Sequence, residues 1–158
     1  MKTHIGLTSQ QQTGVTGILR TLLADEYVLY TKTRNFHWNV RGLHFHDLHK
    51  FFETQYEELD DIVDEVAERI RTLNDLSPGT LVEFTQLTRL KEQPEQRLAA
   101  KEMIAQLLSD HESVIRQLRM DLEKVGDEYH DTGTNDFLTG LMEQHEKMAW
   151  MLRAHLDE

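Results

Sequence analysis

The sequence contains no cysteine, so neither disulfides nor thiolate metal sites are available to it. Any bound metal ion would have to be held by imidazole and carboxylate groups. The sequence also lacks a run of about 18 apolar residues, which a membrane-spanning helix requires. Its first residues, MKTHIGLTSQQQTG, lack the apolar core of a signal peptide. We therefore expect no membrane segment and a cytoplasmic location, with association with the nucleoid as the alternative.

Basic residues are scarce, with 17 Lys and Arg against 28 Asp and Glu and a formal charge of −11. Such a surface repels the phosphate backbone of nucleic acid and attracts cations. The first thirteen residues contain one lysine, Lys2, and no arginine, and the sequence ends in HLDE. Neither end offers a cationic tail. We therefore expect weak or absent binding to DNA at physiological salt, although Mg²⁺ bridging could mimic binding.

Only two prolines and eight glycines interrupt the chain, and helical periodicity fills the segments between them. Between Gly42 and Pro78 the apolar residues recur every three or four positions, which predicts one helix of roughly 27 residues. A helix precedes it, and two more follow, one from Pro94 to Gly126 and one after Gly133. The connection NDLSPGTLVEFTQLTRL is long for a bundle, and we expect it to carry a short helix of its own.

Four long helices without a convincing strand predict an all-α fold, in the form of a four-helix bundle. The short extra helix lies in the connection between the second and third helices. A length of 158 residues suits a single domain. We assign residues 1–12 to a short N-terminal tail and residues 13–158 to the single four-helix domain.

Histidines and acids lie at opposite ends of the stretch HWNVRGLHFHDLHKFFETQYEELDDIVDEVAERI, residues 37–70. His37 lies in the last turns of the first helix, and His49 and Glu53 share a face in the first turns of the second. Asp64 and Glu68 form a similar pair near its far end. Either pair alone is more often a solvated helix face than a metal site, so only their combination points to one.

The distance between the two pairs determines what they can do together. His49 and Asp64 are fifteen residues apart, or about 22 Å along a helix. The ligands of one metal centre lie within roughly 2.5 Å of it. If these residues share a site, two chains must supply it. A two-fold axis that packs the second helices antiparallel would create two equivalent sites.

A metal site within one chain has a different signature. Bundles that hold two iron ions in their own core use Glu-x-x-His pairs on facing helices. No histidine in this sequence has a glutamate three residues before it. We therefore do not expect an intrachain di-iron core.

Several motifs together resemble the signature of the Dps proteins. They are HWNVRG, the LH whose histidine is twelve residues after His37, and the FE, D and AERI that follow it. These mini-ferritins are named as DNA-binding proteins from starved cells. The resemblance covers nearly the whole chain, including DHE at residues 110–112 and HEKMAWMLRA near the C-terminus. It implies a ferritin-like subunit in a hollow dodecamer. It also implies inter-subunit ferroxidase centres that oxidise Fe(II), preferably with hydrogen peroxide, and storage of ferric mineral that protects against oxidative damage.

Carried over by position, the resemblance implies that His37, His49 and Glu53 come from one chain and Asp64 and Glu68 from its neighbour. Glu53 stands where many members have Asp, so it keeps an oxygen ligand on a longer side chain. Oxygen donors stabilise Fe(III), and imidazoles keep Fe(II) bound. Zinc or manganese would fit this ligand set nearly as well, so the ligand types alone do not select iron.

Several other residues have two interpretations. Trp38 is either a buried interfacial aromatic or, by analogy with the family, a catalytic residue that donates electrons to radical intermediates. His44 and His46 are expected at the surface. His111 and His145 fall on inward helix faces and are expected to be core or interface histidines rather than ligands.

Further acids are candidates for handling iron outside the centre. The family has a carboxylate-lined three-fold pore near the loop that opens the last helix, and Asp131 and Asp136 lie in the corresponding stretch here. Glu57 and Asp61 are candidates to face the cavity and seed mineral. A solvated surface explains any single one of these carboxylates equally well.

Three functions remain open at this point. The first is an iron-oxidising store, the second a DNA-compacting nucleoid protein, and the third a helical assembly with a structural zinc site at its interface. The first is favoured because five potential ligands occur at the expected spacing. Aerobic Fe(II) oxidation distinguishes the first from the third.

Overall fold

The computed structural model describes residues 3–94 and 97–156, and within these ranges the regular secondary structure is entirely helical. The helices are α1 (Ser9–Asn39), α2 (Phe45–Thr72), α3 (Leu81–Leu87), α4 (Ala100–Glu123) and α5 (Thr132–Ala154). A π-helical turn, Lys124–Glu128, follows α4 directly. The predicted all-α bundle with a short helix in the second connection is confirmed. Lys2, and the last two residues of HLDE, lie outside the described residues.

The four long helices form two closely packed pairs, α1 with α2 and α4 with α5, around one apolar core. The largest fully buried side chains come from all four: Leu19, Leu22, Phe52, Leu59, Leu107, Leu118, Leu138 and Leu141. Burying one such side chain contributes about 1.5–3 kcal/mol, so the core is the main source of stability. In the described ranges, no helix has the length and apolarity needed to cross a membrane.

Side-chain bonds set the starts of α1 and α4. Helix α1 begins at Ser9 because Thr8 caps it: the Gln11 N–H donates to the Thr8 hydroxyl at 3.3 Å, and the Thr8 N–H donates to the Gln11 side chain at 2.8 Å. The division into a tail of residues 1–12 and a domain of residues 13–158 stays a prediction. The predicted start at Pro94 is wrong, because the Glu102 carboxylate accepts the Ala99 N–H at 2.7 Å and α4 begins at Ala100.

The short connection from α1 to α2 turns at a glycine. Gly42 has a φ of +113°, in the region that side-chain-bearing residues rarely adopt. This turn makes α2 run antiparallel to α1. It therefore brings the last turns of α1 beside the first turns of α2.

The long connection after α3 is tied to the bundle by a buried carboxylate. Asp25 in α1 accepts the Thr88 hydroxyl at 2.9 Å, the Arg89 N–H at 2.6 Å and the Arg89 Nε at 2.7 Å. Asp25 is almost completely buried, so these bonds replace its lost hydration. They fix the end of α3 against α1.

Candidate metal centre

His37 and His49 lie face to face where α1 meets α2. Their rings stack with centroids 3.8 Å apart and an interplanar angle of 19°. His37 Nδ1 lies 2.7 Å from the backbone oxygen of His49, and His49 Nδ1 lies 2.9 Å from the backbone oxygen of His37. The two residues therefore hold each other's rings by reciprocal hydrogen bonds.

These bonds determine which ring nitrogen can bind a metal ion. A carbonyl oxygen only accepts hydrogen bonds, so each Nδ1 must carry the donated hydrogen. In the neutral imidazole the lone pair is then on Nε2 of both histidines. Hydrogen bonding of one ring nitrogen to a backbone carbonyl is the usual way in which proteins orient a metal-binding histidine. The pair is thus preset to bind through Nε2.

Glu53 lies one turn of α2 beyond His49. Its carboxylate bonds to Lys50 Nζ at 2.5 Å, on a partly exposed part of the helix. The hydrogen bond from Lys50 is the largest influence on the pKa of Glu53 and lowers it; desolvation opposes this, and the charge of Lys50 adds to the lowering. Glu53 is therefore ionised at neutral pH. It can act as an oxygen ligand once Lys50 moves aside.

Asp64 and Glu68 lie on the last turns of α2, and both are exposed to solvent. Across residues 3–94 and 97–156, no three His, Cys, Asp or Glu side chains are arranged to hold a metal ion. The histidine end therefore has two imidazoles and one nearby carboxylate, and the acidic end has two solvent-facing carboxylates. The described chain presents two partial sets of ligands at opposite ends of one helix.

Aromatic residues surround the histidine pair. Phe45 stacks on His49 with centroids 5.1 Å apart, and Tyr56 lies edge-on to His37 at 5.2 Å. The Trp38 side chain is 62% exposed to solvent, and its ring contacts the Arg34 guanidinium, which lies 4.8 Å from the ring centroid. The role of Trp38, as interfacial aromatic or electron donor, stays a prediction, and Tyr56 is an aromatic neighbour that the sequence analysis missed.

The candidate pore acids differ in their surroundings. Asp131 is buried and caps α5: Oδ1 accepts the Thr134 N–H at 3.1 Å, and Oδ2 accepts the Thr134 hydroxyl at 2.5 Å. Arg69 of α2 also lies 3.4 Å from Asp131 Oδ1. Asp131 therefore stabilises a helix terminus, which argues against a role as a pore lining. Asp136 is exposed and stays a prediction, as do Glu57 and Asp61 on the exposed face of α2.

The bundle core contains a second histidine pair. His111 of α4 and His145 of α5 are fully buried, with their Nδ1 atoms 3.0 Å apart. His145 Nε2 lies 3.0 Å from Oε1 of Glu26, which is also fully buried in α1. Within the described residues, Glu26 Oε2 and His111 Nε2 have no hydrogen-bond partner. We call these three residues the core triad.

The two histidines of the core triad were expected in the core or at an interface, and they lie in the core. Glu26 was not singled out by the sequence analysis. The available signal was its position beside Asp25 within the otherwise apolar stretch LLADEYVLY. Burial lowers the pKa of His111 well below its ordinary value, and the neighbouring His145 acts in the same direction. His111 is therefore neutral in the folded protein.

Comparison with known proteins identifies the family. A family model described as "Ferritin-like domain" matches residues 17–158. A low temperature-induced protein of Nostoc sp. is 47% identical over 154 residues, covering 98% of this chain and 86% of the relative. The DNA protection during starvation protein of Helicobacter pylori is 39% identical over 142 residues, covering 88% of this chain and 96% of the relative.

A solved structure agrees with this result. The crystal structure of the Dps protein from Vibrio cholerae, described as a member of a broad superfamily of ferritin-like diiron-carboxylate proteins, has a TM-score of 0.91 and 32% sequence identity. The similarity covers 99% of this chain and 98% of that one. The fold, the HWNVRG motif and these relatives agree, and the chain belongs to the Dps family of ferritin-like proteins.

Proposed function

We propose that this protein oxidises Fe(II) at centres shared between two subunits and stores the ferric product inside a hollow shell of twelve chains. Hydrogen peroxide is the proposed oxidant, and protection against oxidative damage is the result. The observation that carries the proposal is the orientation of His37 and His49, whose Nε2 atoms are free to bind an ion. Iron is the substrate and cargo of the reaction.

Each side chain has a proposed role. The imidazoles of His37 and His49 bind Fe(II), and Glu53 of the same chain supplies an oxygen ligand. Asp64 and Glu68 of a second chain supply the oxygen donors that favour Fe(III) over Fe(II). Two histidines and three carboxylates leave coordination positions for the oxidant.

Exposed apolar side chains around the histidines support a second chain at this place. Trp38, Leu43 and Phe45, on either side of the turn between α1 and α2, are 62%, 96% and 45% exposed, which is costly in water for large apolar side chains. Burying them against a second copy would remove this apolar surface from water. A two-fold axis makes two such centres at once.

Two other functions remain as alternatives. A structural zinc site would use the same ligands, but it would not speed Fe(II) oxidation. DNA compaction is the second alternative, and the name of the Helicobacter pylori relative refers to DNA protection during starvation. The charge of −11 per chain opposes it, and we expect no retardation of plasmid DNA at about 150 mM salt without divalent metal. A cytoplasmic location stays an expectation.

Complementation between two inactive variants tests the shared site. A chain with His37→Ala and His49→Ala should lose Fe(II) oxidation, and so should a chain with Asp64→Ala and Glu68→Ala. In a mixed dimer one site receives both damaged halves, and the other receives both intact halves. With random pairing, roughly a quarter of all sites should recover.

The measurement is the initial rate of Fe(II) oxidation in co-refolded shells, after mass analysis has verified that both chains are in the same assembly. Each variant refolded alone is the matched control. Mixed shells no more active than these controls would contradict the shared site. Shells of the unaltered protein that bind Zn²⁺ but leave Fe(II) oxidation at the rate in buffer would support the structural zinc alternative.

A further inference from the structure

A cavity of about 870 Å³ lies between the second half of α1, parts of the connection that leads to α4 and the first turns of α4. Cavities of this volume hold small organic ligands of about the size of a nucleotide. None of the five candidate metal ligands lines the cavity, and the proposed iron chemistry does not use it. It is therefore a second place in the chain where a ligand could bind.

The described lining of this cavity has an excess of positive charge, although the whole chain has a formal charge of −11. Lys32, Arg41 and Arg97 are cationic, and Glu92 is the one described acid among the lining residues. Both arginines are exposed, and within residues 3–94 and 97–156 neither is paired with an acid or a carbonyl oxygen. Two unpaired guanidinium groups beside one cavity attract an anion.

Lys32 forms a fixed part of the cavity wall. Its side chain is almost completely buried, and Nζ donates to Asp110 Oδ2 at 2.6 Å and to the Lys91 backbone oxygen at 2.7 Å. An ammonium group has three hydrogens, so one donor is left for a ligand. Because Asp110 offsets the charge of Lys32, the two arginines supply most of the positive charge that an anion would meet.

The neutral part of the lining indicates what else the ligand contains. Asn39 Nδ2 donates to the backbone oxygen of Asn35 at 2.8 Å and to its Oδ1 at 2.7 Å, which leaves Asn39 Oδ1 and Asn35 Nδ2 free. A carboxamide both donates and accepts hydrogen bonds, as the edge of a nucleobase and the hydroxyls of a sugar do. Four carboxamides line the cavity: Asn35, Asn39, Gln93 and Gln106.

We propose that this cavity binds a nucleotide, with its phosphates against Arg41 and Arg97. A guanidinium group binds phosphate oxygens through two parallel hydrogen bonds. The carboxamides then bond to the sugar and the base, and Phe36, Leu98 and Met103 supply an apolar wall for the base. An inorganic anion would use neither the carboxamides nor the apolar wall. A duplex is much larger than the cavity, so the expectation of weak DNA binding is unchanged.

Isothermal titration calorimetry on the assembled protein tests the proposal, with ADP as the probe at about 150 mM salt and without divalent metal. Arg41→Gln and Arg97→Gln each remove one guanidinium from the phosphates and should weaken ADP binding about tenfold. Glu92→Gln removes the opposing acid and should strengthen binding about twofold. Each variant shell is first checked by mass, so that a failure to assemble is not read as a failure to bind.

Two further variants separate the cavity from the surface in general. Arg116→Gln is the matched control, because Arg116 is an exposed arginine of α4 that does not line the cavity. It changes the charge by the same amount as Arg41→Gln and should leave the affinity for ADP unchanged. Asn35→Trp places a large side chain in the cavity without a change of charge and should abolish ADP binding.

Adenosine lacks the phosphates and pyrophosphate lacks the base and sugar, so both should bind more weakly than ADP. Pyrophosphate that binds as tightly as ADP would overturn the proposal, because charge alone would then be recognised. Equal weakening by Arg116→Gln and Arg41→Gln would overturn it in favour of general attraction to the surface. An unaltered shell that does not bind ADP would overturn it directly. The inference does not rest on the proposed function, since none of these measurements requires Fe(II) oxidation.

Discussion

The chain contains two histidine pairs that differ in what surrounds their free nitrogens. At the junction of α1 and α2, both Nδ1 atoms of His37 and His49 bond to backbone oxygens, and the Nε2 atoms remain for a ligand near the surface. In the core triad, His111 and His145 face each other through Nδ1, and Nε2 of His145 is at ion-pair distance from Glu26. The core triad is sealed within the bundle, with no described route to solvent at these fully buried side chains.

This difference separates a ligand site from a structural cluster. A pair that holds its rings by backbone bonds can gain or lose a metal ion without leaving a buried charge behind. A buried carboxylate next to an imidazole depends on that imidazole, because removing one partner leaves the other desolvated. We therefore expect substitutions in the core triad to affect stability, and substitutions at His37 or His49 to affect iron chemistry.

The largest expected effect on stability comes from breaking the core triad. His145→Ala should lower the free energy of unfolding by about 3–5 kcal/mol, because it leaves a cavity in the core and the buried Glu26 carboxyl group without its polar partner. Urea unfolding at fixed protein concentration measures the change. The double variant Glu26→Leu and His145→Leu is the matched control and should recover most of the loss, since it removes both polar groups. Equal losses in the single and double variants would show that packing, and not the unpaired carboxyl group, is responsible.

A smaller effect should appear as pH dependence. His111 has a pKa well below 6.5 in the folded protein, while in the unfolded chain it titrates near its ordinary value. The unfolded state therefore binds one more proton below about pH 6.5, so this histidine lowers stability as pH falls, by up to about 1.4 kcal/mol per pH unit.

The free energy of unfolding is plotted against pH for the unaltered protein and for His111→Leu. The difference between the two slopes separates the contribution of His111 from that of the other histidines. Unfolding free energies measured from pH 7.5 down to 5 should fall less steeply in the variant. Parallel curves would mean that His111 takes up its proton in the folded state as readily as in the unfolded one.

The smallest effect on stability should come from the candidate metal centre. His49→Ala removes one hydrogen bond to a backbone oxygen from a partly buried ring, which costs about 1 kcal/mol. Zn²⁺ should stabilise the unaltered shell against heat, and this stabilisation should be lost in His49→Ala and kept in the double leucine variant of the core triad. Loss of the Zn²⁺ effect in both variants would remove the distinction between the two histidine pairs.

The sequence predicted the parts of the molecule that depend on local spacing. Apolar periodicity between Gly42 and Pro78 predicted α2. His37 was placed in the last turns of the first helix and His49 in the first turns of the second, and the short turn at residues 40–44 brings the two together. The start of α4 was not predictable from Pro94, because it depends on a side-chain bond between Ala99 and Glu102. Tyr56 and its neighbours were missed because their contacts cross from α2 to α1.

The core triad could not be predicted for a related reason. His111 and His145 are 34 residues apart in the sequence, and Glu26 is at least 85 residues from either. The three residues lie on three different helices. A search for Glu-x-x-His pairs on one helix does not detect such a combination. Helical periodicity placed His111 and His145 inside, but which acid would meet them depends on how α1 packs against α5.

The reciprocal bonds of His37 and His49 have a consequence for how this site can change during evolution. Each ring is oriented by the backbone oxygen of the other residue, and every amino acid has that oxygen. Replacing one histidine removes one ligand but leaves the acceptor that orients the remaining ring. The ligands of this half of the centre can therefore be exchanged one at a time, so a different metal preference can arise by single steps without a rebuilt helix junction.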